Sequence, residues 1–170
     1  PSLLALFNLL LFTGMRLSEV AELARKPLLF DPIRRCIEIH STKAKATQAV
    51  RKIRLNDQGI EAVKEYLKNP YVPSCPSTWQ QNLIRWSRQA HLTEFSYPDS
   101  PSNPYKVTVR STRKTWESWL IACFEDKLPS ITKSQGHTEM IGLKHYMDLG
   151  FMADELEQIR EYTAGWNEVK

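Results

Sequence analysis

The stretches 33-IRRCIEIH-40 and 50-VRKIRL-55 decide the fold class, because there the hydrophobic period drops from that of a helix to that of a strand. In the first, Ile33, Arg35, Ile37 and Ile39 alternate with Arg34, Cys36, Glu38 and His40; in the second, Ile53 and Leu55 share a face. A period of two is the pleat of a half-buried strand. The segment between them, 41-STKAKATQ-48, is polar and basic, so the pair predicts an antiparallel hairpin with a basic tip.

Outward from the hairpin the pattern is helical. Residues 1–12, PSLLALFNLLLF, read as a helix with Leu3, Phe7, Leu10 and Leu11 on one face. Thr13-Gly14 breaks it, and Ser18 is expected to cap a short second helix carrying Val20, Ala21 and Leu23. Helical periodicity returns over 57–69, 78–90 and roughly 108–124, then near 130–135 and 140–149, and last over 153–166. The stretch 96-SYPDSPSNPY-105 is loop, dense in proline, serine and asparagine. The expected fold is therefore mainly α with one small antiparallel β-sheet. At 170 residues it suits a single domain over 1–170, large enough to bury one core.

Composition narrows the function classes. The chain opens on apolar residues with no start methionine, as expected of a domain taken from a longer polypeptide. That apolar run is too short to span a bilayer, and it lacks the basic lead-in and cleavage site of a signal peptide. Cys36, Cys75 and Cys123 are odd in number and far apart, which points to a reducing cytosol and to no structural zinc. Net charge is only +4, but it is segregated. From Arg34 to Arg54 there are seven basic residues (Arg34, Arg35, Lys43, Lys45, Arg51, Lys52, Arg54) against one acid, Glu38. Lys106, Arg110, Arg113 and Lys114 form a second cluster with no acid inside it, whereas Met147–Lys170 holds six acids and two bases. Such segregation fits a face that binds a polyanion, with a solvated basic surface as the plain alternative.

Four separated places offer a cation or a proton donor: Arg16 in 13-TGMRLSE-19, Lys43 at the hairpin tip, the Arg110 and Arg113 pair, and His137 in 134-SQGHTEM-140. Arg16 stands where apolar chain flanks it on both sides, so it either snorkels to solvent at the turn or meets an anion. Arg110 and Arg113 are three apart and can share a helix face, and a guanidinium fork suits two phosphate oxygens. No group of Asp and Glu has metal-ligand spacing, so a phosphate here would be neutralised by side chains. Tyr146 follows His137 by nine residues. The tryptophans Trp79, Trp86, Trp116, Trp119 and Trp166, and Tyr66, Tyr105 and Tyr162, read most simply as packing residues.

In order and spacing these motifs resemble the catalytic domain of the tyrosine recombinases, the phage-integrase family, over nearly the whole chain. The 13-TGMRLSE-19 turn matches the segment of the family's first catalytic arginine, Arg16; Lys43 matches the catalytic lysine; Arg113, followed by Lys114 and Thr115, matches the second arginine; Gly136-His137 matches the His or Trp position; and Tyr146 matches the nucleophile. Lys45 shares the tip with Lys43, and Lys43 is the preferred acid of the two. The sequence departs from the family where the His of His-x-x-Arg is Arg110. The style of 113–119 and 134–151 is similar to integrases of archaeal genomes or viruses.

The resemblance implies a site-specific recombinase that cuts and rejoins double-stranded DNA through a 3′-phosphotyrosyl link, with no metal and no cofactor. It implies Arg16, Lys43, Arg110, Arg113, His137 and Tyr146 at the reacting phosphate, and Lys45, Arg51, Lys106 and Lys114 as further DNA contacts. It also implies a homo-tetramer on two DNA sites, residues 151–170 passing between protomers, and a cytoplasmic, nucleoid-associated place of action. A DNA-binding domain with a decayed site and a type IB topoisomerase are the competing readings.

Overall fold

The computed structural model describes residues 2–40, 50–90, 103, 106–136 and 150–168. Helix α1 (Ser2–Thr13) contributes one face to the main core. Its buried face is Ala5, Leu6, Leu9, Leu10 and Thr13, with Leu3 and Phe7 packed at its margin. The expected face of Leu3, Phe7, Leu10 and Leu11 is thus rotated. The helix is apolar almost all round, so its own sequence does not select which side turns inward. Thr13 Oγ donates to Leu9 O at 2.6 Å, and Gly14, at φ +64°, ends the helix by donating to Leu10 O at 3.2 Å.

Helix α2 (Leu17–Arg25) begins at Arg16 and not at Ser18. The carboxylate of Glu19 accepts from the Arg16 backbone N–H at 2.7 Å, which supplies the start signal that Ser18 was expected to give. A 3₁₀ turn, Pro27–Leu29, leads into a three-stranded antiparallel sheet in the order β1 (Phe30–Asp31), β2 (Cys36–His40), β3 (Val50–Arg54). The β2–β3 pairing is the expected hairpin, with Ile37 opposite Ile53 and Ile39 opposite Arg51. The first strand of the sequence reading is shorter than expected because residues 32–35 form a turn. Asp31 Oδ1 accepts from the N–H groups of Ile33 and Arg34 at 3.0 and 2.9 Å, and Arg35 takes φ 52°. Ile33 consequently lies on the surface, 92% exposed, and β1 pairs back onto β2.

Helices α3 (Asp57–Lys68), α4 (Pro76–Gln89), α5 (Ser111–Cys123) and α6 (Leu128–Gln135) follow, then α7 (Ala153–Thr163). The main core joins α1, α2, the sheet, α3 and α4 through side chains such as Leu6, Leu9, Val20, Ile37, Ile53, Val63, Tyr66 and Trp79. A second cluster of Trp116, Leu120, Ile131 and Trp166 fixes α5, α6 and the C-terminal segment together.

In the C-terminal segment, Met152, Leu156, Ile159 and Trp166 recur at helical spacing, but they do not share one environment. Ile159 and Trp166 are buried within their own chain, whereas Met152 is 72% exposed. Asn56 caps α3 through its Oδ1, which accepts from Gly59 N–H, and its Nδ2 donates to Tyr162 O and Ala164 O at 2.8 and 3.1 Å. The tail therefore docks in cis. Among the described residues no single helix is long and apolar enough to cross a membrane.

Candidate DNA-phosphate site

Residues distant in sequence meet at the C-terminal end of α6. A helix end leaves carbonyls without intrahelical partners and carries the negative pole of the helix dipole, so cations gather there. Here each of three successive carbonyls accepts from a different guanidinium. Arg51 Nη1 donates to Ser134 O at 2.8 Å, Arg113 Nη2 donates to Gln135 O, and Arg16 Nη2 donates to Gly136 O at 3.2 Å. Arg113 Nη1 also donates to Gly14 O at 2.6 Å, tying the turn that carries Arg16 to the same place.

The carboxylate of Glu19 lies among these cations. Glu19 Oε1 accepts from Arg16 Nη1 at 2.8 Å and from Arg51 Nη2 at 2.5 Å. Burial pushes the Glu19 carboxyl up, but the charges of Arg51 and Arg16 and the hydrogen bonds from Arg16 outweigh it, so its pKa is lowered. Arg51 is lowered by burial, with Glu19 opposing and Arg16 reinforcing the shift. Arg113 is brought down to about 10, first by burial and then by the like charges of Arg16 and Arg51, against the pull of Glu19 and Glu117. It remains a cation at neutral pH. An anion brought against the cluster would reverse these shifts, because the neutral carbonyls supply dipoles but no charge.

Exposure separates the three. The Arg16 side chain is 44% exposed, while Arg51 is 8% and Arg113 is buried. Arg16 is therefore the group an incoming anion meets first. A guanidinium carries more donors than the two carbonyls on Arg113 use, so Arg113 keeps hydrogen-bonding capacity for an acceptor that reaches it.

Two glycines permit this crowding. Gly136 closes α6 at φ +71°, and a Cβ there would lie 2.5 Å from Arg51 Cδ. Gly14, at φ +64°, has the Gln135 side chain pressed against the side where its Cβ would stand.

The predicted site residues fall into five groups. Arg16 and Arg113 come together at the end of α6. Arg110 is the N-cap of α5 and is exposed, with its backbone N–H donating to Thr108 Oγ1 at 3.2 Å; its side chain does not share the burial of Arg113. Lys106 and Lys114 are exposed near the same end of α5. Arg51, expected as a DNA contact, instead points inward and is occupied by Glu19 and Ser134. Lys43, Lys45, His137 and Tyr146 lie outside the described residues.

The basic strand pair also differs from expectation. Arg34 pairs with Asp31 at 3.6 Å, Arg35 with Asp57 at 2.6 Å and Lys52 with Glu38 at 3.1 Å, while the Arg54 guanidinium lies 5.8 Å from the Trp166 ring centre. Glu19 was missed as a site residue, although it stands at the capping-box position after Arg16 and four residues before the buried Leu23.

No protein-family model matches the sequence, and no curated protein matches it. Solved structures do. A variant of the Tn1549 transposon integrase in complex with transposon right end DNA superposes with a TM-score of 0.62 at 19% identity, covering 95% of this chain and 58% of that one. The fold is that of a tyrosine-recombinase integrase. The Tn1549 integrase in complex with circular intermediate DNA gives 0.60 at 19% identity over 92% of this chain and 59% of that one, and a second variant on such DNA gives 0.60 at 18%. The chain spans less than two thirds of the length of these integrase structures. Within that fold, the described part of the site is an arginine cluster at a helix C-terminus.

Proposed function

We propose that this chain is the DNA-cleaving and rejoining domain of a site-specific recombinase, with the scissile phosphate bound against Arg16 and Arg113. The observation that supports this best is the convergence of those two arginines, Arg16 from the turn before α2 and Arg113 from the first turn of α5, on one helix end that holds more positive than negative charge. The integrase fold and the DNA in the neighbouring complexes support the same reading.

In the proposed reaction the Tyr146 oxygen attacks phosphorus and the bond to the 5′-oxygen breaks, leaving a 3′-phosphotyrosyl link and a free 5′-hydroxyl. Lys43 gives a proton to the leaving oxygen. Arg16, Arg113 and His137 stabilise the charge that develops on the pentavalent phosphorus, with Arg110 and the neighbouring lysines Lys45, Lys106 and Lys114 on flanking phosphates. A tyrosine of pKa about 10 loses its proton during attack, which a cationic surround favours. Attack by a partner strand's 5′-hydroxyl reverses the step, so the bond energy is kept and neither metal nor cofactor enters. The working assembly is proposed as four protomers on two DNA sites, with residues 151–170 passing to a neighbour in place of their cis contacts. It would act on chromosomal DNA in the cytoplasm.

The test is a nicked suicide duplex, which traps the covalent intermediate by releasing the short 5′-hydroxyl strand. The wild-type chain should form a 3′-linked adduct, and Tyr146→Phe should bind DNA and form none. An adduct in Tyr146→Phe, or none in the wild type, would overturn the assignment. Arg110 in the family's histidine position favours a second reading, a DNA-binding domain without chemistry, and the absence of adduct with retained binding would establish it. Strand exchange between two sites separates recombination from topoisomerase-like relaxation.

A further inference from the structure

We propose that Arg51 is a positioning residue for this site: from the connecting end of the β2–β3 hairpin it fixes the end of α6 and the Arg16 turn relative to each other. The inference rests on the function proposed above and replaces the expectation that Arg51 touches DNA. Arg51 is the second residue of β3, opposite Ile39, and Lys43 belongs to the stretch of sequence that joins β2 to β3. It shares the inward face of that strand with Ile53, which is fully buried. Its two terminal nitrogens point to different elements, Nη2 to Glu19 in α2 and Nη1 to Ser134 O in α6. The end of the same strand repeats the tie, since Arg54 N–H donates to Ser134 Oγ at 3.1 Å.

Three segments that bear proposed reacting groups thus meet on one guanidinium. Glu19 transmits the tie to Arg16, holding its Nη1 and its backbone N–H at once. Ser134 precedes Gly136-His137, so the bond to its carbonyl sets where the chain leaves α6. Gly136 belongs to the same arrangement, because Arg51 Cδ occupies the space beside it that any larger residue would need. Lysine at position 51 could keep the charge against Glu19, but a single ammonium lacks the planar fork that spans both partners. Misplacement of reacting groups by about 1 Å costs on the order of 10²-fold in rate.

The test compares Arg51→Met and Arg51→Lys with the wild type in single-turnover adduct formation, in duplex affinity across salt, and in amide hydrogen exchange of the last turn of α6. The expected result is an adduct rate about 10²-fold lower for Arg51→Met, with a smaller loss for Arg51→Lys, while affinity and its salt slope stay at wild-type values. A phosphate-contacting arginine would instead lower the slope by about one unit on removal. Exchange at Gln135 and Gly136 should quicken in both variants. Rates within threefold of wild type, a salt slope reduced by about one, or unchanged exchange would each overturn the proposal. If Arg51→Met does not fold, Arg51→Lys carries the same comparisons. If the wild type forms no adduct, the recombinase reading fails and the exchange measurement alone decides whether Arg51 positions α6.

Discussion

Two regions of this molecule are comparably rich in basic residues, yet they present opposite electrostatic situations. Around the sheet and its β1–β2 turn, Arg34, Arg35 and Lys52 each stand beside a carboxylate, Asp31, Asp57 and Glu38 respectively. At the end of α6, Arg16, Arg51 and Arg113 are met chiefly by backbone carbonyls, and the carboxylate of Glu19 accepts from Arg16 and Arg51. Carbonyls satisfy hydrogen bonds without cancelling charge, so the second region keeps a net positive field and the first does not. What a cation is paired with, and not how many cations occur in a row, decides where an anion will be drawn.

The difference predicts unequal costs of substitution. The largest effect on stability is expected at Glu19. Removing one partner of a buried ion pair leaves the other charge uncompensated, at a cost of about 3 to 5 kcal/mol. Glu19→Gln should therefore lower unfolding free energy by that order in urea titration. Because the Glu19 pKa is lowered in the folded state, its contribution is present above the ordinary value of 4.5 and is lost as pH falls through the folded value. The wild type should lose stability over that acid range, and Glu19→Gln should flatten that part of the profile. A profile unchanged by the substitution would remove Glu19 from the role assigned to it.

At the other extreme, Arg34→Ala and Lys52→Ala break pairs in which the basic side chains are 71% and 58% exposed. Each should change stability by less than about 1 kcal/mol, with the effect shrinking as salt is raised. A loss as large as that at Glu19 would erase the contrast between the two regions.

Much of this organisation was legible in the sequence, and the gaps have particular physical causes. The β2–β3 hairpin follows from alternation, and the helix that holds Arg113 follows from its spacing with Trp116 and Leu120. The inward turn of Arg51 was also present in the alternation, since a period of two places it on the face of Ile53 and Leu55. Reading it as a surface cation ignored that register. Its partner Glu19 lies on another element, so no local pattern announces that the charge can be buried. The inward face of α1 was not legible because apolar residues surround the helix, and only the packing of α3 and α5 against it decides the rotation. Strand β1 is two residues long and shows no period of its own; the turn at Asp31-Pro32 was its only signal.

Single-turnover adduct formation on a nicked suicide duplex, comparing Arg16→Ala with the Arg34→Ala, Lys52→Ala double variant, tests the central claim most directly. Arg16 is the exposed member of the cluster, and losing one preorganised donor to a developing phosphorane costs on the order of 10²- to 10³-fold. Arg16→Ala should slow the adduct by that factor while the double variant stays within about threefold of wild type, the small change expected of surface pairs. Wild-type rates in Arg16→Ala, or an equal loss in the double variant, would contradict a phosphate site at the end of α6.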